Sequence, residues 1–233
     1  AQVRIWRQLL TGLGAAAPAD SEIELALCRR GLTIGDMAAA AEAAVESWDE
    51  VDVAAVAEAL DHLVAHELEA LALARPAGEP RALTADSEAA VAAALDALSA
   101  ADVVIDPWGV QAQLSGRSQR GAVLVLGTDA ACGAVCSRIA GAVDAPLYVA
   151  DIDRLAADGD GPTRVGELFR AAGRRRAVLA IDVAEDSPPA VVNRLARELD
   201  ARAIIAIVTA PTADDCPETV RLRVDATITA SLA

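Results

Sequence analysis

The feature that most constrains this chain is a change of hydrophobic period near residue 121. From there on, short runs that are apolar at nearly every position alternate with segments of helical length. The runs are 122–127 (AVLVLG), 146–150 (PLYVA), 177–181 (AVLAI) and 203–208 (AIIAIV), and 219–224 is expected to add a fifth strand. A strand that is apolar on both sides must be covered on both sides, which a parallel sheet wrapped by crossover helices achieves. The segments between them, 130–143, 163–172 and 188–200, carry helical spacing. The last opens on Pro188 and Pro189, tolerated in a first turn because those amides have no intrahelical partner. The second half is therefore expected to be a doubly wound parallel α/β layer.

Residues 1 to about 100 show helical period alone. Helices are expected at 4–10, at 21–30 with Asp20 or Ser21 as N-cap and Gly31 as stop, and from Thr33 onward. A long helix opens at Asp52, and its apolar set (Val53, Val56, Leu60, Leu63, Val64, Leu68, Leu71) steps by three and four, the stripe of a core-facing helix. The stretch 75–80 (RPAGEP) breaks helix and reads as a linker. Thr84 then caps a helix over 85–98, with Glu88 near its first turn. The expected organisation is an all-α helical domain over 1–110 and an α/β domain over 119–233.

Charge and composition narrow the function classes. There are 35 acidic against 20 basic side chains, a net charge of −15, which repels phosphate backbones and argues against nucleic acid as a partner. Every basic side chain except the two histidines is arginine, and the chain has no lysine. The only basic cluster, Arg174, Arg175 and Arg176, reads as a helix C-terminus complementing its dipole. Cys28, Cys132, Cys136 and Cys216 form no C-x-x-C pair, which fits a reducing cytoplasm, and Cys132 and Cys136, four apart on one helix face, are expected to be buried free thiols. No apolar run approaches the roughly 18 residues of a membrane span. Aromatics make up 2% of the chain, so its three tryptophans stand out. Burial is the default role for each, and Trp6 and Trp108 are the two whose positions also suit anchoring a protein partner.

Ligands of such sheets lie at the carboxyl ends of the strands. After the first strand comes Gly127, Thr128, Asp129, Ala130, Ala131, Cys132, Gly133 and Ala134. A phosphate loop of pattern G-x-x-x-x-G-K-[ST] needs glycines for backbone approach, a lysine for the β- and γ-phosphates and a hydroxyl for Mg²⁺. Set on Gly127, this segment keeps the first glycine, but Cys132, Gly133 and Ala134 replace the second glycine, the lysine and the hydroxyl. Asp182 ends the third strand at the Mg²⁺-holding position, and Val183 follows where hydrolytic relatives often carry an acid. Thr209 ends the fourth strand. Glu185 and Asp186 read as a solvated loop. Gly127, Thr128, Gly133, Asp182 and Thr209 are taken together as candidates for a vestigial nucleotide site, with no catalytic residue and no metal ligand assigned.

Two other constellations carry less. His62 and His66 lie one helical turn apart, but the sequence H-L-V-A-H lacks the glutamate of H-E-x-x-H, and no third ligand is evident. They read as a half-exposed pair on an acidic face. The turn Asp158, Gly159, Asp160, Gly161, Pro162, with Asp151 and Asp153, is rich in carboxylates but lacks EF-hand spacing. It supports an alternative reading as a nucleotide- or divalent-metal-binding α/β protein with atypical loop chemistry.

The order of loop, Asp182 strand, Thr209 strand and a final strand over 220–224 resembles the large α/β subdomain of AAA+ ATPases, across about residues 119–233. In that family Asp182 would be the Walker B acid and Thr209 the residue that senses the γ-phosphate. A helical segment leading into a degenerate module resembles the N-terminal part of tandem AAA+ proteins, such as those of contractile injection systems. The resemblance implies a P-loop fold, protein partners such as other AAA+ modules or ring subunits, and ATP with Mg²⁺ only as weak or vestigial binding. The expected function is a non-catalytic module serving assembly or partner recognition, in the cytoplasm and without a membrane or nucleic-acid role.

Overall fold

The computed structural model describes residues 2–14, 18–28, 32–48, 51–75, 81–104, 121–157, 160–201 and 204–233. Gly31, Trp108, residues 76–80 of the expected linker, and Asp158 and Gly159 of the carboxylate-rich turn lie outside them. The chain divides into two compact units, one of Ala1–Glu67 with Gly173–Arg175, the other of Leu68–Ala172 with Arg176–Ala233.

The first unit is helical: α1 (Gln2–Gly12), α2 (Asp20–Leu27), α3 (Ile34–Ser47) and most of α4 (Val53–Glu69). Their apolar stripes meet in one core that holds Trp6, Leu10, Ile23, Leu27, Met37, Val56 and Leu60. Trp6 is fully buried, and its indole N–H donates to the Leu27 carbonyl at 3.1 Å. It fastens the end of α2 and is not a surface anchor, because an indole buried in a small core needs a partner for its one donor. Thr33 and Asp36 close a capping box at the start of α3, with Thr33 N–H donating to Asp36 at 2.7 Å and Asp36 N–H to the Thr33 hydroxyl at 3.1 Å. Arg174 and Arg175 occupy the last turn of a helix, as their dipole reading requires, and pair with Asp36 and Asp61.

In the second unit, α5 (Ala85–Val104) is followed by β2 (Gly121–Leu126), α6 (Asp129–Ala142), β3 (Leu147–Asp151), α7 (Ile152–Ala156) and α8 (Gly161–Arg175). Then come β4 (Val178–Asp182), α9 (Pro189–Asp200), β5 (Ile205–Ala210), α10 (Glu218–Arg221) and β6 (Ala226–Thr229), while a short β1 (Leu73–Arg75) precedes them all. The six strands lie in the order β1-β3-β4-β5-β2-β6, all parallel except β1, which runs antiparallel to β3. This is the doubly wound α/β layer expected from the apolar runs. One core, with α5 and α6, covers the face of Val123, Val125, Leu147, Ala180 and Ile207. A second, with α8 and α9, covers the face of Leu124, Tyr148, Leu179, Ile181 and Val208.

Three elements differ from the sequence reading. Leu73–Arg75 is a strand where the linker was expected to begin. The helix at 85–98, read with the helical bundle, packs on the sheet through Val91, Ala94 and Leu98 and runs on to Val104. The last strand is not 219–224. Pro217 is the N-cap of α10, whose Val220 is buried while Leu222 just beyond it is 75% exposed. The last strand is β6, which pairs with β2 on the side away from β5, with Val123 opposite Ala226 and Leu126 opposite Thr229.

Candidate functional site: the carboxyl edge of the sheet

Strands β2 and β5 are neighbours, yet the helices that follow them lie on opposite faces: α6 with the first core and α10, through Val220, with the second. A crevice outside the carboxyl ends is built where connections diverge in this way. Parallel register sets one row across that edge: Asp151 of β3 beside Asp182 of β4, Asp182 beside Thr209 of β5, Thr209 beside Val125 of β2. Parallel partners point to the same face, and alternation from Val178 and Ala180 puts this row on the α6 side. The Thr209 hydroxyl donates to Asp182 Oδ1 at 3.2 Å. Sequence order alone brought Asp182 and Thr209 into one candidate site, and the register makes them direct neighbours.

The segment that follows β2 is built differently. Between Leu126, the last residue of β2, and Asp129, the first of α6, only Gly127 and Thr128 intervene. Positions 129–134, set against the phosphate-loop pattern, are the opening turns of the helix that the spacing of 130–143 predicts. Gly133 therefore sits inside α6, and the absence of a side chain there makes room for Arg75, whose guanidinium lies 2.6 Å from where a Cβ would stand. Gly127 has φ +149, and a Cβ there would meet the Ala230 carbonyl at 2.7 Å. Its own N–H donates to the Ala210 carbonyl at 3.1 Å, so it extends the sheet ladder instead of facing solvent. Thr128 is the N-cap of α6, accepting from Ala131 N–H at 3.4 Å. The first turn then carries Asp129, an anion where the helix dipole favours one.

The electrostatics of this edge run against phosphate. Burial raises the pKa of Asp182 from 3.8; the Thr209 hydrogen bond opposes that rise, and the charges of Asp129, Asp151 and Asp153 add to it. Burial also pushes the Cys132 thiol up to about 11, with Asp129 and then Asp182 adding to it. A thiol held protonated in this way is an inert packing group. Asp151 and Asp153 already have protein partners. Asp151 caps α7, accepting from Asp153 N–H at 2.9 Å and Arg154 N–H at 3.2 Å, while Asp153 accepts from the buried Ser187 hydroxyl at 2.8 Å. Among the described residues, no group of three or more His, Cys, Asp or Glu is arranged to hold a metal ion. Val183, where an acid often follows, is buried in the second core. Glu185 and Asp186 lie on an exposed turn.

Sequence reading missed two parts of this edge: the approach of Asp129 to Asp182, and Arg75 against Gly133. Neither leaves a local signal, because each joins residues far apart in the chain. Cys132 and Cys136 are buried free thiols, as their spacing suggests; Cys216 is buried as well, and Cys28 is half-buried. Among the described residues no helix is long and apolar enough to cross a membrane.

No family model and no curated protein sequence matches the chain. Among solved structures, it is similar to the AAA domain of FIGL-1, with a TM-score of 0.50 at 16% identity, over 72% of this chain and 60% of that one. It also aligns with a chain in the structure of the E. coli MS115-1 HORMA:CdnC:Trip13 complex, with a TM-score of 0.46 at 16% identity, over 69% of this chain and 68% of that one. At such identity the FIGL-1 likeness concerns the fold: an AAA-like α/β sheet with helices before it.

Proposed function

We propose that this AAA+-like module does not hydrolyse ATP and serves assembly or partner recognition, as the N-terminal part of a larger, tandem AAA+ ATPase of the kind found in contractile injection systems. The observation that carries the reading is the two-residue turn between β2 and α6. A phosphate loop works by aiming a run of backbone N–H groups and a lysine at the β- and γ-phosphates. Here the Gly127 N–H is spent on Ala210, the Ala131 N–H on Thr128, and the helix begins where the loop should continue.

Charge supports the same reading. ATP·Mg²⁺ is anionic, and Asp129, Asp151, Asp153 and Asp182 gather at its expected place without lysine. Lost cationic stabilisation of a transferring phosphoryl group removes the main catalytic term. The retained sheet is then a scaffold, and its partners are proteins, other AAA+ modules or ring subunits, in the cytoplasm. Nucleotide binding at this edge is weak or vestigial, confined to the Gly127–Thr128 turn with Asp182 and Thr209.

Steady-state phosphate release from the purified chain with ATP and Mg²⁺ tests this. The expected rate equals the buffer background and does not change in Asp182→Ala. Turnover above background that Asp182→Ala abolishes would overturn the proposal.

A further inference from the structure

The exposed side of α4 carries a feature unconnected with the sheet edge. We propose that His62 and His66 form a two-histidine chelate for a borderline transition-metal dication such as Zn²⁺, Ni²⁺ or Cu²⁺. Four residues apart on one α-helix, their Cβ atoms stand about 5–6 Å from each other on the same face. That separation lets two imidazoles converge on one ion, the same spacing by which H-x-x-x-H helices hold zinc. The sequence alone read the pair as half-exposed. In the structure both imidazoles are exposed, and neither makes a hydrogen bond or ion pair with a described residue, so both are open to a ligand.

Three further facts favour a cation at this spot. The opposite stripe of α4, with Val56, Leu60 and Val64, is buried in the helical core, which holds the backbone under the pair in one conformation. His66 lies in the last turn of the helix, where the dipole is negative. Glu58, also exposed, stands one turn before His62 and adds negative potential on the same face. With no preassembled third ligand among the described residues, the ion keeps the rest of its coordination sphere as water. The site is then an open one, selective by donor softness: imidazole suits Zn²⁺, Ni²⁺ and Cu²⁺, while Mg²⁺ and Ca²⁺ prefer oxygen.

Calorimetric titration of the intact chain with ZnCl₂ tests the chelate, with MgCl₂ as the oxygen-preferring control. The expected result is one saturable Zn²⁺ equivalent with a micromolar dissociation constant and no response to Mg²⁺. His62→Ala and His66→Ala, each matching the parent in far-UV circular dichroism, should each weaken Zn²⁺ binding at least about tenfold. The double variant should be no weaker than either single one, because a chelate is broken by losing one arm. A loss smaller than tenfold in either single variant, or no saturation of the parent below millimolar Zn²⁺, overturns the assignment.

Discussion

The carboxyl of Asp182 ends a strand in company that opposes its charge. Partial burial raises its pKa from 3.8, the Thr209 hydrogen bond pulls it down, and Asp129, Asp151 and Asp153 push it further up. The native state therefore binds this proton more tightly than the unfolded chain does. Stability contributed at this residue falls as pH rises from 3.8 through the raised value, and the penalty is fully present above it. Asp182→Asn deletes the charge and keeps an acceptor for Thr209. Its melting temperature should exceed the parent's at pH 7 by no more than about 2 °C, since solvent screens the exposed side of the carboxyl. The gain should shrink to nothing below pH 3.8, and calorimetric scans at both pH values check it. A variant no more stable than the parent at pH 7 would mean that Asp182 carries no such penalty. Asp182 and Thr209 were legible as strand ends in the sequence. Asp129 and Asp153 as neighbours of Asp182 were not, since their approach depends on helix placement over the sheet.

The last strand shows how far period alone reaches at the scale of an element. Residues 220–224 read V-R-L-R-V, a period of two that suits a strand, yet Pro217 starts a single helical turn there and Leu222 faces solvent. The real edge strand, Ala226–Thr229, buries only Ile228. An edge strand covered on one face leaves a weak apolar signature, whereas the interior strands β2, β4 and β5 are buried on nearly every residue and were plain. β1, at the other edge, has all three residues exposed and so carries no apolar signature. Truncation separates the two segments: Ile228→Ala should cost about 2–4 kcal/mol and Leu222→Ala less than about 0.5 kcal/mol. Urea unfolding followed by circular dichroism measures both, and equal costs would contradict the strand at 226–229.

For the whole molecule, separate cores set what can be perturbed independently. The helical unit has its own cluster around Trp6, Met37 and Leu60, and the sheet has one on each face. Leu60→Ala should destabilise the helical unit by about 2–5 kcal/mol. Amide exchange should then quicken in α1–α4 while protection in β2 and β5 holds, because substitutions without shared contacts act separately. Faster exchange in β2 and β5 would show that the cores unfold as one. By itself, the sequence determined the parallel sheet covered on both faces and the helical start of the chain, because hydrophobic period is a local property read over a few turns. It also showed that the chain has no lysine and that positions 132–134 hold Cys132, Gly133 and Ala134, which are matters of residue identity. Only the tertiary structure decided that α5 belongs to the sheet, that Gly127 is shaped by the Ala230 carbonyl, and that four aspartates share one edge. Those facts join residues far apart in the chain, and their distances are fixed by strand register and by the packing of helices on the sheet.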